Sequence, residues 1–168
     1  MRLAQDSSSH ALLQELRAKS QEPLIQACLS YKASVVAADP LDTGARQQLN
    51  LGHTFAHALE AVGQYSEYNH GQAVGLGLLA ALRLSQLRFG LERKVEDEVR
   101  KLLGGLGLPT CTTYGYEDLQ PYFKADKKSA AGKPRFVGLK ALGEYAMIEN
   151  ASEDELRQAL QAIFCQPL

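Results

Sequence analysis

Residues 73–89, AVGLGLLAALRLSQLRF, constrain the fold more than any other stretch of the chain. Set at 100° per residue, this run is apolar around most of its circumference, so the helix opened by His70 and closed before Gly90 belongs at the centre of a bundle. Gly75 and Gly77 match neither GxxxxGK[ST] nor a GxGxxG after a strand, and are read as packing glycines that admit close neighbours. With 168 residues, 45% of them hydrophobic, the chain can bury one sizeable core and is read as a single domain.

The remaining elements follow from punctuation. Ser7, Ser8 and Ser9 offer caps for a helix from about His10 to Lys19. Pro23 suits the first turn of a second helix, with Leu24, Ile25, Cys28, Leu29 and Val35 as its apolar repeat and Asp39-Pro40 as its stop. Asp42 or Thr43 is expected to cap a long histidine helix over Leu41–Val62, which Gly63 ends before a polar loop from Gln64 to Asn69. An amphipathic helix over about Glu92–Leu103 runs into Gly104, Gly105, Gly107 and Pro109, and Tyr116–Phe123 reads as one more short helix. A basic loop from Lys124 to Pro134 leads to two strand-like runs, Arg135–Leu139 and Glu144–Ile148, paired as a hairpin around Gly143. Ser152 and Glu155 form a capping box for a last helix that buries Leu156, Leu160 and Ile163. The class is mainly α: a multi-helix bundle with a small β-hairpin near the C-terminus.

Charge and cysteines narrow the function. A formal net charge of -1, with no basic run flanked by aromatics, argues against a nucleic-acid partner. The most apolar run is too short to span a bilayer, and the N-terminus lacks a signal-peptide pattern, which argues against a membrane partner. Cys28, Cys111 and Cys165 lie far apart without CxxC spacing, so neither a disulfide framework nor a thiolate zinc site is indicated, and a reducing cytoplasm is expected.

The segment from Arg46 to Val74 holds three of the four histidines. On one continuous helix Arg46, Asn50, His53 and His57 fall at roughly 0°, 40°, 340° and 20°, a polar stripe with apolar cover on which something polar docks. His53 and His57, at i,i+4, can present two nitrogens to one metal ion, or can simply hydrogen-bond to buried acceptors. A turn after Gly63 would bring His70 back toward them. Glu60 and Glu67 are candidate further ligands, although Glu60 is read as a solvated or helix-end charge. Arg46 and Lys32 suit a carboxylate or phosphate, or a surface ion pair. His10 is given no role.

These residues, R-x-x-L-N-x-G-H-T-x-x-H-A-x-E followed by H-G-x-A-V, resemble the C-terminal domain of 3-dehydroquinate synthase. The likeness extends from Lys32-Ala33-Ser34-Val35-Val36 and Asp39, through the histidine segment, to Asp126-Lys127-Lys128, Phe136-Val137 and Gly143. It implies cyclisation of 3-deoxy-D-arabino-heptulosonate 7-phosphate to 3-dehydroquinate in aromatic amino-acid synthesis, with NAD and a divalent metal, usually zinc. By that resemblance His53 and His70 are metal ligands, which replaces the pairing of His53 with His57 suggested by spacing. His57 lies near the phosphate-bearing end of the substrate, Lys32, Arg46 and Asn50 bind substrate, and one of Lys127 and Lys128 joins the catalytic set. The family's NAD-binding domain should precede this chain, and so should the glutamate that completes the metal site and a lysine one helical turn beyond it, so the isolated chain is expected to be an inactive part of a homodimeric cytoplasmic enzyme. Ala56 stands where the family has glycine and is expected to tighten the space near the substrate. Gln72 stands where HGE is usual and removes a carboxylate from the site's surroundings. Other sugar phosphate cyclases, of the deoxyinosose or epi-valiolone synthase type, share the pattern. A non-catalytic helical metal-binding module is the reading outside enzymes.

Overall fold

The computed structural model of the protein describes residues 22–42, 44–123 and 134–165. The helix expected over His10–Lys19, Thr43 and most of the basic loop, Lys127 and Lys128 included, lie outside the described residues. The chain divides into two compact units, residues 1–50 and 51–168.

In the first unit, α1 spans Glu22–Ala38, with Pro23 in its first turn, where a missing N–H costs no hydrogen bond. Of its apolar repeat Val35 is buried, while Ile25 and Leu29 stay exposed. The chain then turns into a 3₁₀ helix over Ala45–Asn50. At that turn the Asp39 carboxylate accepts from the backbone N–H of Gly44 at 2.7 Å and of Arg46 at 3.0 Å. Tyr31 of α1 donates to Gln48 at 2.8 Å and ties the two helices together.

The second unit is built around α3, His70–Phe89. It packs against α2 (His53–Val62), α4 (Arg93–Gly105), α6 (Glu153–Gln161) and the first strand of a hairpin. Its buried residues, from Ala73 through Ser85, face every side, as an apolar circumference requires. α5, Tyr116–Phe123, covers the other side of α2. Phe55, Phe123 and Phe136 meet where α2, α5 and the hairpin converge, with ring centroids 4.8 to 5.8 Å apart, the offset and edge-on spacing that aromatic quadrupoles favour.

The hairpin pairs β1 (Phe136–Ala141) with β2 (Glu144–Ile148), Phe136 opposite Ile148 and Leu139 opposite Tyr145, with Gly143 in the turn at φ 84. One hydroxyl fastens it to α3: Ser85 donates to Ala81 O at 2.6 Å and accepts from Leu139 N–H at 2.9 Å. Ser152 and Glu155 form the expected capping box of α6, whose Leu156 and Leu160 are buried together with Ile163 beyond its end. No helix among the described residues is long and apolar enough to cross a membrane.

A carboxylate clasps α3 to α4. Glu96, 1% exposed, accepts from Arg83 Nε at 2.9 Å, Gln86 Nε2 at 2.9 Å and an Arg100 guanidinium nitrogen at 2.8 Å. Arg100 goes on to donate to Thr110 O and Ala162 O, so the same network holds the exits of α4 and α6. Burial works to raise the Glu96 carboxyl, but the hydrogen bonds and charge of Arg83 and Arg100 outweigh it and hold the carboxyl below its ordinary value of 4.5.

The cysteines depart from the expectation. Cys111 and Cys165 form a disulfide across a sequence separation of 54, and Cys28 is free and exposed. Thr112 N–H donates to Ile163 O at 2.7 Å and Cys165 N–H to Thr112 O at 2.8 Å, so a backbone bridge sets the two sulfurs side by side. Motif spacing registers only neighbours in sequence, whereas this pair is brought together by the packing of α4 and α6 on α3 and the bridge beyond their ends.

Two outcomes are expected. Because the unfolded chain binds a proton at Glu96 at higher pH than the folded one, the clasp's contribution is complete above pH 4.5 and is lost as pH falls through the lower folded value. Glu96→Gln should therefore lower stability at neutral pH and narrow the gap to wild type in acid, measured by urea melts across pH. Replacing Cys111 and Cys165 by serine should lower stability by up to about 4 kcal/mol, the loop-closure entropy of a cross-link of this span, while circular dichroism keeps its helical signature because the backbone bridge persists.

Candidate functional site

The local geometry starts at Gly52. It adopts φ 79 and ψ -14 as the residue before α2, with no side-chain cap, so the single helix expected over Leu41–Val62 is interrupted at Leu51–Gly52. The reason lies in the helix it meets. A Cβ on Gly52 would stand 2.6 Å from Leu78 N, and one on Gly77 would stand 2.3 Å from Gly52 O and 3.0 Å from Ala56 N. The start of α2 thus rests backbone against backbone on the middle of α3, an approach only two glycines permit. The interruption also undoes the four-residue stripe: at three residues per 3₁₀ turn, Arg46 and Asn50 are separated by about 120° rather than 40°.

What survives is the row on α2. His53 is its first residue and His57 lies one turn on, with ring centroids 5.8 Å apart. The chain reverses after Gly63 through Gln64 and Tyr65, which carry φ of 52 and 55. Two side-chain contacts hold the returning loop: Tyr68 donates to Thr112 Oγ1 at 3.0 Å, and Tyr114 donates to the Glu67 carboxylate. The hydrogen bond to Glu67 pushes the Tyr114 phenol up to about 12.

α3 then starts at His70. Asn69 and Gln72 form a reciprocal capping box, Gln72 N–H to Asn69 Oδ1 and Asn69 N–H to Gln72 Oε1, both at 3.0 Å. Gln72 fills the acceptor role that a glutamate would fill at that place in a capping box, so this departure from the family pattern leaves the start of the helix intact. Ala56 is fully buried in the core cluster. Its methyl group therefore adds to core packing instead of narrowing a substrate space.

Three imidazoles come together. His70 lies 5.5 Å from His53 and 6.5 Å from His57 by ring centroid. Two histidines sharing one tetrahedral ion at the usual zinc–nitrogen distances have centroids roughly 5 Å apart, close to the His53–His70 spacing. The hydrogen bonds define the free nitrogens. His53 Nδ1 is 3.3 Å from Leu51 O, a carbonyl that can only accept, so Nδ1 carries the proton and a neutral ring keeps its lone pair at Nε2. Burial lowers the His53 pKa below 6.5, and the neighbouring histidines push the same way against the hydrogen bond to Leu51. His70 Nδ1 is 3.0 Å from Glu60 Oε1.

Glu60 is the residue the sequence reading misplaced. Its side chain is 13% exposed and paired with His70, so it is neither solvated nor a free helix-end charge. The signal was in the spacing: seven residues after His53, it returns to within about 20° of the same helix face. Glu67 is engaged by Tyr114. Among the described residues no three His, Cys, Asp or Glu side chains already converge in metal-holding geometry. The His53–His70 spacing is that of two imidazoles that could share one divalent ion, with its other positions left to further ligands.

The proposed substrate residues of this chain lie in the first unit. Lys32 is exposed on α1. Arg46 is half-buried, and its guanidinium Nη1 donates to Pro40 O at 3.2 Å. Asn50 is the last residue of the 3₁₀ helix.

This is a helical domain with a paired-histidine site at the starts of two adjacent helices. Its backbone is similar to 2-epi-5-epi-valiolone synthase from Streptomyces hygroscopicus subsp. jinggangensis 5008, a structure with NAD+ and Zn2+ bound, at a TM-score of 0.75 and 15% identity over 92% of this chain and 43% of that one. The family described as 3-dehydroquinate synthase C-terminal matches residues 2–129, and the chain belongs to it. It is 39% identical to the 3-dehydroquinate synthase of Neisseria meningitidis serogroup C (strain 053442), over 88% of this chain and 42% of that protein. It is 42% identical to that of Leptospira interrogans serovar copenhageni, over 71% of this chain and 33% of that protein. The chain thus spans less than half the length of these relatives.

Gly52→Ala tests the helix contact beneath the histidines. It forces a left-handed backbone on a residue with a Cβ and drives that Cβ into α3, so a loss of at least about 2 kcal/mol is expected in urea unfolding, with the histidine ring resonances shifted in the folded remainder.

Proposed function

We propose that this chain is the metal- and substrate-binding part of a 3-dehydroquinate synthase, which converts 3-deoxy-D-arabino-heptulosonate 7-phosphate to 3-dehydroquinate and phosphate. The observation that carries the reading is the pair His53 and His70, 5.5 Å apart with each Nδ1 held by an oxygen acceptor, within a chain whose residues 2–129 match the family. In this reading His53 and His70 hold a divalent ion, zinc in first place, and the remaining ligands come from outside these two side chains. When bound, zinc polarises a carbon–oxygen bond of the substrate, and NAD accepts and returns one hydride, so the net reaction is redox-neutral.

The chain's own residues bind and orient. Arg46 offers a planar fork to a carboxylate or phosphate, Lys32 offers a point charge, and Asn50 both donates and accepts. His57 is exposed and next to the metal pair, where it holds or moves a proton at the phosphate-bearing end of the substrate. One lysine of the Lys127 and Lys128 pair adds positive charge for the same dianion. NAD is assigned to the part of the enzyme beyond the 42% that this chain matches, the complete enzyme is assigned as a homodimer, and its setting as the cytoplasm.

A second reading is a related sugar phosphate cyclase, favoured by the fold of the valiolone synthase. The residue-level likeness to the two dehydroquinate synthases, 39% and 42% identical against 15%, argues for the first.

The test is turnover of heptulosonate phosphate, followed by phosphate release and product chromatography, with this chain joined to an NAD-binding half of a family member. Dehydroquinate should form, and His53→Ala or His70→Ala should reduce kcat by at least about 1,000-fold, as expected when a metal's charge stabilisation is removed. Turnover of a competing sugar phosphate instead would move the assignment to another sugar phosphate cyclase. A well-folded fusion inert toward both would sink the reading.

A further inference from the structure

We propose that Glu60 is the positioning residue of the metal site, fixing the ring of His70 so that Nε2, and not Nδ1, is presented to the ion. The inference rests on the reading of His70 as a metal ligand. Glu60 sits in the last turns of α2 and His70 at the first position of α3. Their side chains meet across the helix reversal, Nδ1 to Oε1 at 3.0 Å.

The asymmetry of the pair decides which member serves the other. Side-chain exposure is 13% for Glu60 and 61% for His70. A largely buried carboxylate is costly unless it is hydrogen-bonded, so Glu60 is held in one place and a well-solvated imidazole is drawn to it. An ionised carboxylate is acceptor-only, hence Nδ1 of the neutral ring carries the hydrogen and Nε2 keeps its lone pair. In water a neutral histidine prefers the opposite tautomer, so Glu60 changes the ring's state as well as its direction.

Neighbouring features supply what one hydrogen bond cannot. The Asn69–Gln72 box fixes the backbone of His70, and Glu60 fixes the ring about its side-chain torsions. On the other ring, Leu51 O plays the part that Glu60 plays here. The two imidazoles thus carry matched outer acceptors, the arrangement that raises ligand basicity and sets ring orientation at metal sites. The carboxylate also places a negative charge beside the site, which favours a cation over an empty pair of rings.

The experiment uses the 168-residue chain with nitrogen-labelled histidine. Long-range proton–nitrogen NMR without metal, at alkaline pH where imidazoles are neutral, reads the tautomer of each ring. His70 should be protonated at Nδ1 in wild type and in Glu60→Gln, whose amide oxygen still accepts, and should change to mainly Nε2-protonated in Glu60→Ala. Titration with Zn2+ alone should show affinity reduced about 10–100-fold in Glu60→Ala and largely recovered in Glu60→Gln. A merely structural Glu60 would leave the tautomer unmoved. His70 protonated at Nε2 in wild type, or an identical spectrum and identical Zn2+ affinity in Glu60→Ala, would overturn the inference alone. The expected tautomers with a Zn2+ affinity that His70→Ala leaves unchanged would instead overturn the metal reading of His70, and with it the purpose assigned to Glu60.

Discussion

The site depends on a contact between two backbones. At Gly52 and Gly77 the start of α2 and the middle of α3 come so close that a methyl group on either would meet main-chain atoms of the other. Because α3 is buried around its circumference, it is a fixed reference for its neighbours, and a helix seated directly on its backbone inherits that rigidity. The first turn of α2 carries His53 and the second carries His57, so the precision of the contact passes directly to the imidazoles. The same contact breaks the helix that periodicity suggests, since Gly52 must take a left-handed conformation to enter it.

The second support is the loop between α2 and α3. Its reversal uses two non-glycine residues with positive φ, Gln64 and Tyr65, and its return is pinned by Tyr68 to Thr112 and by Glu67 to Tyr114. Thr112 itself lies in the bridge beside the Cys111–Cys165 link. A path of hydrogen bonds and one covalent bond therefore runs from the exits of α4 and α6 to the residue before Asn69, and so to the start of α3. Charge follows the same plan. At His53 burial disfavours the charged ring, so that imidazole is prepared as a neutral donor.

The family likeness gains physical content from the departures within it. Gln72 keeps the capping box because an amide oxygen accepts as a carboxylate does, and the carboxylate beside His70 is supplied by Glu60 from the preceding helix. Ala56 is absorbed by the core next to the helix contact. Neither change alters which nitrogens the site presents.

The sequence by itself determined the helical class, the central position of α3, the hairpin around Gly143 and the capping box of α6, because each follows from periodicity or from hydrogen bonds spanning a few residues. It also determined the family, through a run of residues whose types and spacing are specific. Contacts between distant segments were beyond it: the Gly52–Gly77 approach that splits the expected histidine helix, the pairing of Cys111 with Cys165, and the Glu96 clasp that joins α3, α4 and the exit of α6. The hydrogen bond from His70 to Glu60 belongs with them, since a spacing rule locates a side chain on a face but does not say which element meets that face. Local patterns specify elements; only the packing of those elements specifies which polar groups share an acceptor.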